Sequence, residues 1–129
     1  MNKILVEVSV GELLDKISIL EIKKEKISNK ESLEFINREY SVLKEQLNKN
    51  VKSDEKLNEF FESLKKINAK LWSFEDEKRL YEKKSDFGDN FIKISRDIHF
   101  LNDDRAKIKL EINKYTGSKI REIKEYTNY

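Results

Sequence analysis

The sequence predicts an all-α fold: an elongated antiparallel bundle of about four helices with a long helical hairpin, a short extended N-terminal arm and a short C-terminal helix. Three observations predict it. Apolar residues recur at three- and four-residue spacing through most of the 129 positions, which marks one buried face per helix. There is no proline and there are three glycines, so nothing breaks the helices internally. Charged residues make up 40% of the chain against 37% apolar, enough to fill stripes along helices but not a broad core. The length suits a single helical domain over residues 1–129.

Residues 2–8 read as an arm, because Ile4, Val6 and Val8 alternate with Lys3 and Glu7. Ser9 then opens a capping box in which Glu12 can reach back to the Ser9 amide. Helix one runs from about 10 to 27, with Val10, Leu13, Leu14, Ile17, Leu20 and Ile27 on its main face. Ile19 and Ile22 fall on the other side beside Asp15 and Ser18, so this helix is central or meets a partner there. Asn29 caps helix two, about 30–49, whose narrow stripe of Leu33, Ile36, Tyr40, Leu43 and Leu47 resembles a coiled-coil seam.

Ser53 or Asp54 caps helix three, about 55–83, which turns Leu57, Phe60, Phe61, Leu64, Ile67, Leu71, Trp72 and Phe74 inward. The short connection makes helices two and three the expected hairpin. Ser85 to Asp89 then breaks the pattern and caps helix four, about 89–115. Gly117 supplies the left-handed residue that ends it. Ser118 can restart a short terminal helix, with Tyr126 and Tyr129 packing it back.

Arg105 is the residue that breaks the rule. It projects into the apolar stripe formed by Ile94, Ile98, Leu101, Ile108 and Ile112, and Asn102, Lys109 and Asn113 edge the same face. The helix-three stripe likewise passes from Leu57, Leu64 and Leu71 into Glu75, Arg79 and Glu82, with Asn68 polar and inward one step earlier. A buried cation needs a paired anion. Glu75 is its first expected partner, Glu21 on helix one a further partner for Arg105 or Arg79, and Asp76 belongs to the same set. Glu75 and Arg79, four apart, can also pair with each other. Two alternatives stand beside a ligand site: a solvated ladder of ion pairs on helix three, and a buried ion pair that only fixes helix register. Asp15, with Lys16 and Lys23, is expected in an exposed or intersubunit cluster, and Trp72 in the core.

Other classes find little support. A net charge of +2 from 27 basic and 25 acidic residues, mixed along the chain, argues against nucleic acid. Absent cysteine excludes disulfides and thiolate metal sites, and one histidine among scattered carboxylates makes no metal site, so neither metal nor cofactor is expected. No signal peptide or membrane span is visible, which makes the cytoplasm the expected compartment. No glycine-rich phosphate loop or Ser-His-Asp spacing is present.

The segments SVGELLDKISILEIKKEKI, LWSFEDEKRLYE and FIKISRDIHFLNDDRAKIKLEINKYTGS together resemble a small family of bacterial and phage proteins known only as a domain of unknown function. The resemblance covers nearly the whole chain and is most specific in VGELLDKISILEIK. Matching positions include Gly11, Glu12, Asp15, Glu21, Trp72, Glu75, Asp76, Arg79, Asn102, Arg105, Lys109, Asn113 and Gly117; Glu7 departs from an expected proline. The resemblance implies no activity. GELLDKISILEI is also weakly similar to the first helix of all-helical chorismate mutases, without their arginine and isoleucine-aspartate repeat.

Two functional readings result. The leading one is a non-enzymatic helical binding or assembly protein with an internal Arg/Glu/Lys/Asn cluster, homodimeric through helix one or the arm. The second is a small cofactor-free enzyme, or enzyme accessory, for an anionic metabolite. There Arg105, Lys109 and Arg79 hold the phosphate or carboxylate, and Glu75 or Glu21 moves a proton. An Arg105 sealed between carboxylates without solvent access would exclude the second.

Overall fold

Four helices form where the periodicity places them, in a computed structural model that describes residues 2–120, 122–125 and 127–128. They are α1 (Val10–Lys26), α2 (Lys30–Asn50), α3 (Glu55–Lys83) and α4 (Asp89–Thr116). Side-chain caps start three of them. Ser9, Asn29 and Asp54 accept from the amides of Glu12, Ser32 and Leu57 at 3.1, 2.9 and 2.8 Å, satisfying donors that a helix start leaves orphaned. The reciprocal half of the first capping box is replaced, because Glu12 turns its carboxylate to Lys109 instead. Gly117 ends α4 in the left-handed region (φ 68°, ψ 30°), where the Ser118 amide donates to the Asn113 carbonyl at 2.9 Å.

The hairpin is α3 with α4, not α2 with α3. α1 lies in the middle, against α2, α3 and α4, whereas α2 packs along α1 and reaches the others only with side chains near its end. The expected pairing fails because the α2 stripe is narrow and α1 needs cover on more than one side. Leu13, Leu14, Ile17, Leu20 and Ile22 of α1 are all buried, together with Asp15 and Ser18. That settles why apolar residues occur on both sides of this helix: it is central.

The core divides in two. One cluster joins Leu14, Leu57, Leu64 and Ile112, with Leu47 and Val51 from the end of α2 closing over it. The other joins Leu71, Ile94 and Ile98 of the hairpin with Ile67, Phe74, Tyr81 and Leu101 beside them. At the first cluster α1 and α4 approach closely. A Cβ on Gly11 would stand 2.5 Å from the Lys109 carbonyl oxygen, closer than any side chain allows. The accessible surface is 9785 Å², against about 7,200 Å² expected for a compact chain of 15.4 kDa, so the chain as a whole, arm and tail included, is more open than a compact globule. The expected C-terminal helix does not form among the described residues: beyond Gly117 they carry no helix or strand, and Tyr126 and Tyr129 lie outside them. No helix among the described residues is long and apolar enough to cross a membrane.

Candidate functional site

Between the two apolar clusters, α1, α3 and α4 contribute polar side chains to one network. Asp15 is its centre, with only 1% of its surface exposed. Arg105 of α4 donates to it twice, Nε to Oδ1 at 2.9 Å and Nη2 to Oδ2 at 2.5 Å. Asn68 of α3 donates its amide to Asp15 Oδ1 at 2.9 Å and to Ser18 Oγ at 2.8 Å; Ser18 in turn donates to the Asp15 carbonyl. Burial pushes the Asp15 carboxyl up, but hydrogen bonds from Arg105 and Asn68 and the charges of Arg105 and Lys109 outweigh it and hold the group below the usual aspartate value. The hydrogen bond to Asp15 raises Arg105 above its ordinary value, against the effect of burial.

One turn along α4, Lys109 gathers a second set of acids. Its Nζ lies 2.7 Å from Glu12, 2.6 Å from Glu122 and 3.9 Å from Asp15. Burial pulls this ammonium down, but the Glu12 and Glu122 hydrogen bonds and the Asp15 charge leave it raised. The bond to Lys109 likewise holds Glu122 low and fastens the tail to the bundle. Asn113, a further turn on, accepts from the Gly11 amide at 2.7 Å and so locks the close crossing of α1 and α4.

Arg105 is not sealed. About 28% of its side chain is exposed, and it forms one edge of a 390 Å³ cleft between α1, α3 and α4. Ile19, Ile22 and Leu71 supply the cleft's apolar lining, Trp72 stands half-buried in its wall, and Glu75, Asp76, Arg79 and Asn102 complete it. Among the described residues none of those four polar side chains has a hydrogen-bond or ion-pair partner. A guanidinium has five N–H donors and Asp15 takes two from Arg105, so three remain for the cleft.

Several expectations are therefore corrected. Arg105 pairs with Asp15 and not with Glu75, and Glu75 and Arg79 do not pair with each other. Asp15 is buried, not exposed or intersubunit, since the side of α1 that carries Ile22 faces α3 and α4. Glu21 lies elsewhere: it accepts from Lys65 at 3.1 Å and from Tyr40 at 3.3 Å, where α1 meets α2 and α3. Glu82 is exposed and outside the cleft. Asn68, Glu75, Asp76, Arg79, Asn102 and Arg105 do converge, while Lys109 and Asn113 belong to the adjoining contact between α1 and α4. Asp15, Ser18 and Glu122 were not expected here. The three-residue spacing of Asp15 and Ser18, continued to Ile22 on an apolar side, was the available signal for the first two.

Among the described residues no group of three or more His, Cys, Asp or Glu side chains is arranged to hold a metal ion. No curated protein and no solved structure matches the chain. One family model does: it covers residues 4–129, and on that match the chain belongs to the Family of unknown function (DUF6165).

Proposed function

We propose that the protein is a non-enzymatic binding module whose cleft takes a small zwitterionic, amino-acid-like molecule. The observation that carries this reading is the presence of unpartnered charges of both signs around an immobilised guanidinium. Arg79 and the free N–H groups of Arg105 suit a carboxylate, which guanidinium groups bind with directional, charge-assisted hydrogen bonds. Glu75 and Asp76 suit an ammonium group, and Ile22, Leu71 and Trp72 suit an apolar body. A purely anionic ligand fits less well. Asp15 already neutralises Arg105, and the remaining unpartnered acids outnumber Arg79. The cleft volume lies within the range of about 300–1,000 Å³ usual for small-molecule sites.

Trp72 is the only tryptophan, so its emission reports the cleft directly. Titration with a panel of amino acids is expected to shift that emission saturably for at least one apolar member. Its N-acetyl and amide derivatives, each lacking one charge, should bind at least tenfold more weakly, as should Arg79→Ala and Glu75→Gln. A panel that leaves Trp72 unchanged, or derivatives that bind equally well, would defeat the proposal.

The solvent access of Arg105 also favours a second reading, an enzyme or accessory for an anionic metabolite with Glu75 as the proton-transferring group. A phosphorylated or dicarboxylate compound consumed by wild type, but not by Glu75→Gln, would select it.

A further inference from the structure

Residues 2–8 have no hydrogen bond with the rest of the described chain and carry no helix or strand. Ile4, Leu5 and Val6 are 90, 89 and 74% exposed, an apolar run standing in water with its backbone donors and acceptors free. Such a segment is a template for strand pairing. Its sequence specifies which partner suits it best.

We propose that the arm pairs with the same arm of a second copy, as an antiparallel two-fold ribbon centred on Leu5. In that register Lys3 faces the partner copy's glutamate at position 7, and the symmetry repeats the pair. Ile4 faces valine at position 6, also twice, and Leu5 faces itself. Opposite charges and apolar groups are matched at every position from 3 to 7. A parallel in-register ribbon sets lysine against lysine and glutamate against glutamate. An antiparallel shift of one residue sets Ile4 against glutamate in one direction and Lys3 against valine at position 6 in the other. The arm is therefore complementary to itself in one arrangement, which is what an isologous dimer contact requires.

Two further observations support a second copy. The surface in excess of a compact chain, about 2,600 Å², exceeds the roughly 800 Å² per partner that a standard interface removes. A lone two-stranded ribbon is marginal in water, so the face bearing Ile4, Val6 and Val8 needs a floor. The Lys109 bridge holds Glu122 beside Glu12 at the root of the arm, and the tail there exposes Ile120 and Ile123 at 39 and 79%.

Mass in solution, measured by sedimentation of the full chain over a concentration series, is expected to show a monomer–dimer equilibrium. Lys3→Glu or Glu7→Lys alone should raise the dimer Kd about tenfold or more, because each turns two attractive pairs repulsive. The double variant K3E/E7K should restore it, and a mixture of the two single variants should form the heterodimer. Lys3 and Glu7 are exposed and have no hydrogen bond or ion pair within the described chain, so these changes should leave folding intact. The chain has no cysteine, so Leu5→Cys offers one thiol per copy and should cross-link under mild oxidation faster than Ile4→Cys. A wild-type chain that stays monomeric throughout overturns the proposal. So does a dimer that ignores K3E, or one that L5C fails to cross-link.

Discussion

Replacing Asp15 by asparagine keeps the side chain's shape and removes its charge, which makes it the sharpest test of the central network. Asp15 accepts two hydrogen bonds from Arg105 and one from Asn68, with Lys109 3.9 Å away. Removing one partner of a buried pair costs about 3–5 kcal/mol, because the other charge is left uncompensated. Two features of the geometry favour the lower end. Arg105 is 28% exposed and can recover some hydration, and Lys109 retains Glu12 and Glu122. The expected loss is therefore about 3 kcal/mol, a large part of the marginal stability of a chain this size. In urea the midpoint should fall with an unchanged slope, and the thermal midpoint should drop by about 10 °C.

Arg105→Met should cost more than Asp15→Asn, since it strands a carboxylate with 1% exposure. The double variant should be less damaged than the two losses added together. Acid supplies an independent check. The carboxyl of Asp15 is held below its usual value of 3.8, so its contribution is present above that pH and disappears as pH falls through the depressed folded value. Wild type should consequently lose its advantage over D15N in strong acid. A loss below about 1 kcal/mol at neutral pH, the size of a surface ion pair, would refute the reasoning.

Gly11→Ala inside a helix ordinarily gains up to about 1 kcal/mol, but here the added Cβ meets the Lys109 carbonyl oxygen at 2.5 Å; chemical denaturation should show a loss of about 1–3 kcal/mol instead. Asn68→Ala leaves Asp15 and Ser18 each short of a donor in the interior, and a loss of about 1–3 kcal/mol in the same assay is expected. Glu122→Gln loosens the tail while Lys109 keeps Glu12, so limited proteolysis should remove the tail faster while global stability changes by less than about 1 kcal/mol.

The helices were legible because caps and periodicity are local. Ser9, Asn29, Asp54 and Gly117 each act within a few residues, and the four expected ranges agree with those observed to within one residue at each end. The misplacements all required knowing which helix faces which. Arg105 was identifiable as an inward cation from its own helix, but its partner was not. Glu75 continues an apolar stripe, and so does Asp15, on a side of α1 that reads as outer until the helix is known to be central. Helix two misled for the reverse reason: a short loop fixes sequence neighbours but does not force packing, and its stripe lies along α1 instead of α3. Glu122 gave no signal at all, since its acidic side chain lies in a segment without periodicity.

A thin core explains why so costly a network lies in the middle of this bundle. The apolar clusters at its two ends are built from leucine and isoleucine stripes, which pack nearly as well when one helix slides by a turn past another. A network cannot slide in this way. Moving α4 by about 5.4 Å removes Arg105 from Asp15, Lys109 from Glu12 and Asn113 from the Gly11 amide at once. Asn113 and the Gly11 amide would then be buried without a partner, and Asp15 would lose its two-pronged guanidinium. On this hypothesis, the Asp15–Arg105 pair adds specificity more than stability. An apolar replacement of the pair, Asp15→Leu with Arg105→Met, should then retain much of the wild-type denaturation midpoint. The same variant should broaden the amide NMR spectrum and abolish the Trp72 response, because α1 and α4 no longer hold the cleft wall in one register. A variant with a sharp spectrum and an intact response would show that the apolar stripes suffice to set the register.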